Sequence, residues 1–169
     1  MNEITTPISD EVIKKLNVGD VIYISGYILC GRDAVLPKVL KMIEDGTVGE
    51  LGVDLKGQVI FHTAFSTAGL GPTSSNKVEI EGSIEPLSAA GIKIHLGKGA
   101  LHAETIKALD KYNAVYAVIA PVTARLVEKT SEHRVLAFPE LGIEALHLIK
   151  IDKYPAIIAA AHGRSIYDE

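Results

Sequence analysis

Short apolar runs, most of them rich in β-branched residues, alternate along this chain with segments whose apolar positions recur three and four apart. Ser9 or Asp10 can cap a first short helix that ends near Leu16. Val18-Gly19-Asp20 then turns into a strand at 21–25. Residues 32–45 carry Val35, Val39, Met42 and Ile43 at helical spacing and stop at Gly46; Pro37 sits early, where its missing N–H is best tolerated. A strand is predicted at 58–64, followed by a long polar, glycine-bearing loop at 66–77. The pattern continues with a helix at 84–90, a strand at 92–96, a helix at 102–112, a strand at 115–119, a helix near 123–129 and a strand near 134–138. Two apolar strands close it, 146–151 and 156–161, parted by Asp152-Lys153-Tyr154-Pro155.

Strand-to-helix alternation through the middle predicts an α/β fold with helices covering a sheet. The tail, with two strands and hardly any helix, predicts an added antiparallel or mixed element. No internal repeat, low-complexity segment or linker interrupts the chain, so 1–169 is expected to form one domain. The length of 169 residues suits that reading, and 47% hydrophobic with 22% charged residues is an ordinary globular balance that argues against disorder.

Charge and cysteine content narrow the function classes. A formal charge of −4 gives no global field to draw the protein to nucleic acid or to an anionic membrane. No apolar run approaches a membrane span, and the first fifteen residues lack the apolar stretch of a signal peptide, so a soluble cytoplasmic chain is expected. Cys30 is the single cysteine. One thiol cannot form an intrachain disulfide, hold an iron–sulfur cluster or build a structural zinc site.

Three turns carry candidate chemistry. Leu70 to Lys77 (LGPTSSNK) combines small residues, a proline, the hydroxyls of Thr73, Ser74 and Ser75, and a terminal cation. Such a loop can cradle an anion; it can equally be a solvated connection whose hydroxyls bond their own backbone. Gly97-Lys98-Gly99 follows a strand and precedes a helix, which allows close ligand approach beside a charge, or a plain strand-to-helix turn. In Cys30-Gly31-Arg32-Asp33, a cation stands at a helix start, where the dipole disfavours it. A carboxylate held bidentately would explain Arg32; so would pairing with Asp33 or a neighbouring acid. All three turns follow strands, where α/β sheets gather their ligands, and together they suit a small dicarboxylate.

The six histidines show no metal-ligand spacing. His62, His95 and His147 fall in strands and read as packed or hydrogen-bonded, whereas His133 and His162 fit either a structural or a functional role. A serine hydrolase lacks its GxSxG elbow here.

At these motifs the chain resembles the C-terminal domain, or β subunit, of class I iron–sulfur fumarate hydratases and the related L(+)-tartrate dehydratases. The resemblance rests on GDVIYISGYILCGRDA, GPTSSNKVE, IHLGKGAL and the closing LGIEALHLIKIDKYPAIIAAAHGRSIYDE, in that order along nearly the whole chain. It implies a swivelling β/β/α domain, a mixed sheet with flanking helices, in half of a two-subunit enzyme. The cluster-bearing α subunit would hold a [4Fe–4S] cluster, with no cofactor or metal on this chain. The implied reaction is reversible hydration of fumarate to L-malate, with L(+)-tartrate or another 2-hydroxy dicarboxylate as the alternative substrate.

By motif, the resemblance implies that Arg32 binds carboxylate and that Thr73 and Ser74 match the paired threonines of the family's GPTT loop. Lys77 falls at the arginine of its GRMD stretch, and Lys98 at the lysine of GKG. Substrate binding would therefore fall to Arg32, Thr73, Ser74, Lys77 and Lys98, and catalysis to Thr73 and Lys98, with the Thr73 hydroxyl as base. Two departures bear on substrate identity. Lys77 keeps the charge of the usual arginine without its planar fork, and Ala34-Val35-Leu36 lacks the histidine expected three residues after the Arg-Asp pair. A rival of another class is a non-catalytic anion-binding module that works without a partner.

Overall fold

The computed structural model describes residues 2–66, 69–73, 77–119 and 126–167, apart from the side chains of 66–80, 126 and 127. Its elements are β1 (Asn2–Thr5), α1 (Asp10–Lys15), β2 (Val21–Cys30), α2 (Leu36–Asp45), β3 (Val59–Phe61), β4 (Thr63–Ser66), β5 (Gly69–Thr73) and α3 (Lys77–Ala89). They continue with β6 (Ile94–Gly97), α4 (Ala103–Lys111), β7 (Val115–Ile119), α5 (Leu126–Lys129), β8 (Thr130–Ala137), β9 (Leu146–Ala161) and β10 (Arg164–Ser165). Short 3-10 turns occupy Val48–Leu51 and Pro139–Glu144. The result is a mixed α/β architecture, as the alternation predicts.

Local chemistry explains the helix ends. The Ser9 side chain accepts from the Val12 N–H, acids fill the first turn of α1 and lysines its last, each opposing the helix dipole. The predicted helix at 32–45 begins instead at Leu36. Pro37 has no N–H to give, so it must lie in the first turn, and 32–35 form a separate turn closed on the Arg32 carbonyl. Gly46, at φ 75°, ends α2 in the left-handed region.

β2, β3, β6 and β7 pair in parallel in that order. β9 runs antiparallel and pairs with both β7 and β2, so these strands close into a ring. β1, β8 and β10 add to its flanks. The period-2 alternation of the strands divides the molecule into layers. Ile22, Ile24, Ile28, Cys30, Val59, Phe61, Ile94, Leu96, Val115, Ala117, Ile149 and Ile151 point inward and fill the space between the two halves of the ring. Residues of the opposite parity meet the helices: Leu29, Ile60 and Leu148 pack with Val35, Leu36 and Val39 beside α2, and Tyr116 packs with Ile84, Ile106 and Leu109 of α3 and α4. Each such buried aliphatic contributes about 1.5–3 kcal/mol relative to exposure.

Some predicted boundaries move. The two strands expected at 146–151 and 156–161 are one, β9. Lys153 turns locally at φ 49°, but its N–H donates to Ser25 Oγ at 2.9 Å, and Tyr154 and Pro155 stay paired with Ile24 and Tyr23. Much of the loop expected at 66–77 is the second strand of a hairpin. Buried Phe65 anchors β4 against the rings of His133 and His147, and β4 pairs antiparallel with β5. The helix expected at 84–90 starts earlier, at Lys77, and the start of the helix expected at 123–129 lies outside the described residues. No helix among the described residues is long and apolar enough to cross a membrane.

Gly91 shows how closely the ring and its connections fit. At φ 119° its added Cβ would come within 2.6 Å of the Lys56 Cα, which is backbone and cannot step aside. Gly46 has open space at the same position. Urea unfolding of Gly91→Ala should therefore show a loss of about 2–4 kcal/mol, against about 1 kcal/mol for Gly46→Ala. Equal losses in the two variants would contradict this packing.

Candidate functional site

Because β2, β3, β6 and β7 are parallel and in register (Cys30 opposite Phe61, Phe61 opposite Leu96, Gly97 opposite Val118), their carboxyl ends share one edge of the sheet. In parallel α/β sheets, open or closed, that is the edge where ligands gather. The turn after β2 brings Arg32 and Asp33 there, β3 ends into His62, and β6 ends into Lys98. The β4–β5 hairpin emerges from β3 at the same edge and sets the backbone of Thr73 opposite Thr63, and α3 starts at Lys77. Ser74, and the side chains of Thr73 and Lys77, lie outside the described residues.

Gly31 makes the first turn tight. Its N–H donates to the Phe61 carbonyl at 3.0 Å, and a Cβ there would meet Val35 Cγ1 at 2.8 Å. The turn delivers Arg32 to a carboxylate of the chain itself. Arg32 Nε lies 2.8 Å from both Glu144 oxygens and Nη2 lies 2.5 Å from Oε2, with the two side chains only 20% and 24% exposed. Of the two explanations for this cation, pairing with a neighbouring acid is the one the structure displays. Glu144 comes from the 3-10 turn that precedes β9, where β9 enters beside the end of β2. Lys98 differs: it is exposed and has no ion pair among the described residues. Of these two basic side chains, it is the one whose charge is not already compensated.

Beneath the edge runs a buried polar chain. Ser88 Oγ of α3 lies 2.8 Å from His95 Nε2, and His95 Nδ1 lies 3.1 Å from His62 Nε2. The two rings stack at 5.3 Å, and both histidines are fully buried. Burial pushes His62 down to about 4, against a smaller upward pull from Asp33; burial and then the neighbouring His62 drive His95 well below the usual imidazole range. Both rings are therefore neutral at pH 7.

Two further arrangements brace the edge. His147 Nε2–H donates to the Ile143 carbonyl at 3.2 Å, which leaves Nδ1 to accept from His133 Nε2–H at 2.8 Å. Glu81 of α3 accepts from the His102 backbone N–H at 2.6 Å, at the start of α4. Burial pushes the Glu81 carboxyl up, but hydrogen bonds from His102 and Thr105 outweigh it and hold the group below its ordinary value.

The donor set does not suit a metal cluster. Cys30 is fully buried, and burial pushes its thiol far above the ordinary value, away from the thiolate a cluster needs. Among the described residues no three His, Cys, Asp or Glu side chains gather as a metal site. No step is therefore assigned to a cluster on this chain.

Sequence reasoning assigned His62 and His95 to packing or hydrogen bonding, which the structure shows, but missed that they join each other and Ser88. The available signal was a histidine in each of two apolar segments, directly after β3 in FHT and within β6 in IHLG.

Residues 2–169 match the profile of the family described as "Fumarase C-terminus". The chain belongs to that family. It is 28% identical over 171 residues, covering 93% of this chain and 86% of the relative, to a Methanocaldococcus jannaschii protein provisionally named L(+)-tartrate dehydratase subunit beta. It is 26% identical over 182 residues to the L(+)-tartrate dehydratase subunit beta of Escherichia coli K12, covering 98% of this chain and 86% of the relative. It is 31% identical over 180 residues to a Geobacillus stearothermophilus protein provisionally named fumarate hydratase class I, covering 96% of this chain but only 33% of that relative.

The neutral histidines make stability depend on pH with a definite sign. An unfolded His62 takes up a proton below about pH 6.5, whereas the folded one resists it down to about 4. Stability is complete above pH 6.5 and falls as the pH drops toward 4. His62 alone should account for roughly 2 kcal/mol between pH 7 and pH 5, with His95 adding to it. Urea midpoints measured at those two pH values should show that fall, and His62→Gln should flatten it; an equally steep fall in the variant would locate the effect elsewhere.

Proposed function

We propose that this chain is the β subunit of a two-subunit hydro-lyase that adds water reversibly across the double bond of a small dicarboxylate, fumarate and L-malate in the first instance. The observation that carries the reading is convergence: the Arg32 turn, Lys98 and the backbone of the Thr73 and Lys77 segment all emerge at one carboxyl edge of parallel strands. The family and the subunit names of the relatives support it.

In this reading Lys98 and Lys77 hold the far carboxylate and stabilise the charge that builds on it as the adjacent carbon loses its proton. Thr73, ionised to its alkoxide with its own proton given to solvent and its pKa lowered by cations, takes that proton in the dehydration direction and returns it on hydration, with Ser74 hydrogen-bonding the same ligand. Arg32, its charge compensated by Glu144, stands at the rim of the same site. A [4Fe–4S] cluster belongs to the α partner, which this chain's single buried cysteine cannot replace.

L(+)-tartrate is the alternative substrate. One observation favours it: two of the three relatives reported above carry that name.

The test is the assembled two-subunit enzyme assayed with L-malate and with L(+)-tartrate. Lys98→Ala should keep the fold, since the side chain is exposed, and lower kcat/KM by about a hundredfold or more. Activity like wild type in that variant would refute Lys98 as part of the site. Tight dicarboxylate binding by the chain without a partner would instead favour a binding module.

A further inference from the structure

The chain Ser88–His95–His62 has an open end. His62 Nδ1 is buried and has no hydrogen-bond partner among the described residues. Buried polar atoms are paired in the great majority of cases, and an orphaned one adjoining a ligand edge calls for an explanation. His62 directly follows Phe61, the last residue of β3, at the edge shared with Arg32, Asp33 and Lys98.

The three groups allow two self-consistent settings. In one, His62 Nε2–H donates to His95 Nδ1 and His95 Nε2–H donates to Ser88 Oγ, which leaves a bare lone pair on His62 Nδ1. In the other, Ser88 O–H donates to His95 Nε2 and His95 Nδ1–H donates to His62 Nε2, which puts an N–H on His62 Nδ1. An orphaned buried N–H is rarer than an orphaned acceptor, so the first setting is the resting one.

In the resting setting the bare lone pair of Nδ1 can accept but not donate. An ionised carboxylate brings no donor to it, whereas a hydroxyl can give its O–H. We propose that His62 Nδ1 is a specificity-determining contact that reads a hydroxyl group of the dicarboxylate by accepting its O–H, with His95 and Ser88 holding the ring in the setting that leaves Nδ1 bare. This inference rests on the dicarboxylate site proposed above.

The experiment is long-range ¹H–¹⁵N NMR of the full chain's histidine rings, titrated with L-malate, with L(+)-tartrate and with succinate, which has no hydroxyl, at matched ionic strength. The Lys98 amide reports anion binding independently. L-malate or tartrate should shift the Lys98 amide and move the unprotonated His62 Nδ1 resonance upfield, as a nitrogen that gains a hydrogen bond; succinate should shift the amide alone. If L-malate and tartrate shift the amide and leave the His62 Nδ1 resonance unchanged, or if succinate moves it too, the hydroxyl reading is wrong while the anion site stands. If no ligand shifts either signal, the dicarboxylate site falls and this inference with it. His62→Phe, which keeps the ring volume, should bind succinate as before and lose about tenfold in its preference for L-malate over succinate; an unchanged preference would also overturn the proposal.

Discussion

β9 pairs with β2 along one side and with β7 along the other, and the rest of the structure follows from that double pairing. A parallel sheet of four short strands has two exposed edges; here one antiparallel strand joins them and leaves no edge between. Closure fixes the register of β2, β3, β6 and β7, so their carboxyl ends finish level. It also splits each strand's residues into an inward set, which packs on itself, and an outward set, which packs on α2, α3 and α4. The candidate edge is a by-product of this geometry, because every turn that leaves a parallel strand at its carboxyl end leaves on the same side.

Charge at that edge is arranged by contrast. Arg32 is neutralised by Glu144, and His62 and His95 are kept neutral by burial, while Lys98 stays exposed. Among the described side chains of that edge, Lys98 is an exposed cation with no ion pair, above a floor of neutral, hydrogen-bonded imidazoles. Such a floor gives direction without adding charge, which suits selection between dicarboxylates that differ by a single hydroxyl.

The alternation of strands and helices was legible because apolar periodicity switches cleanly between two and three-to-four residues, and β3, β6, β7 and α4 fall close to where the pattern puts them. It failed where local signals conflict with tertiary pairing. Tyr154-Pro155 reads as a break, yet partners on β2 keep it extended. The hairpin β4–β5 is held by Phe65, one aromatic in a polar stretch, and has no period to detect. At the site, turn chemistry pointed to Arg32 and Lys98 as residues, but could not tell that Arg32 answers to Glu144, 112 positions away. The coupling of His62 to His95 across 33 positions depends on strand order, which a sequence does not display.

The central claim is that this chain is half of an enzyme whose metal chemistry sits on another subunit. The most direct test is a gentle anaerobic purification of the chain from its native extract, reading iron content and the mass of whatever accompanies it. The account predicts a stoichiometric, cysteine-bearing, iron-containing partner and hydro-lyase activity in the same fraction. A lone, iron-free chain would contradict it and leave a carboxylate-binding module in its place.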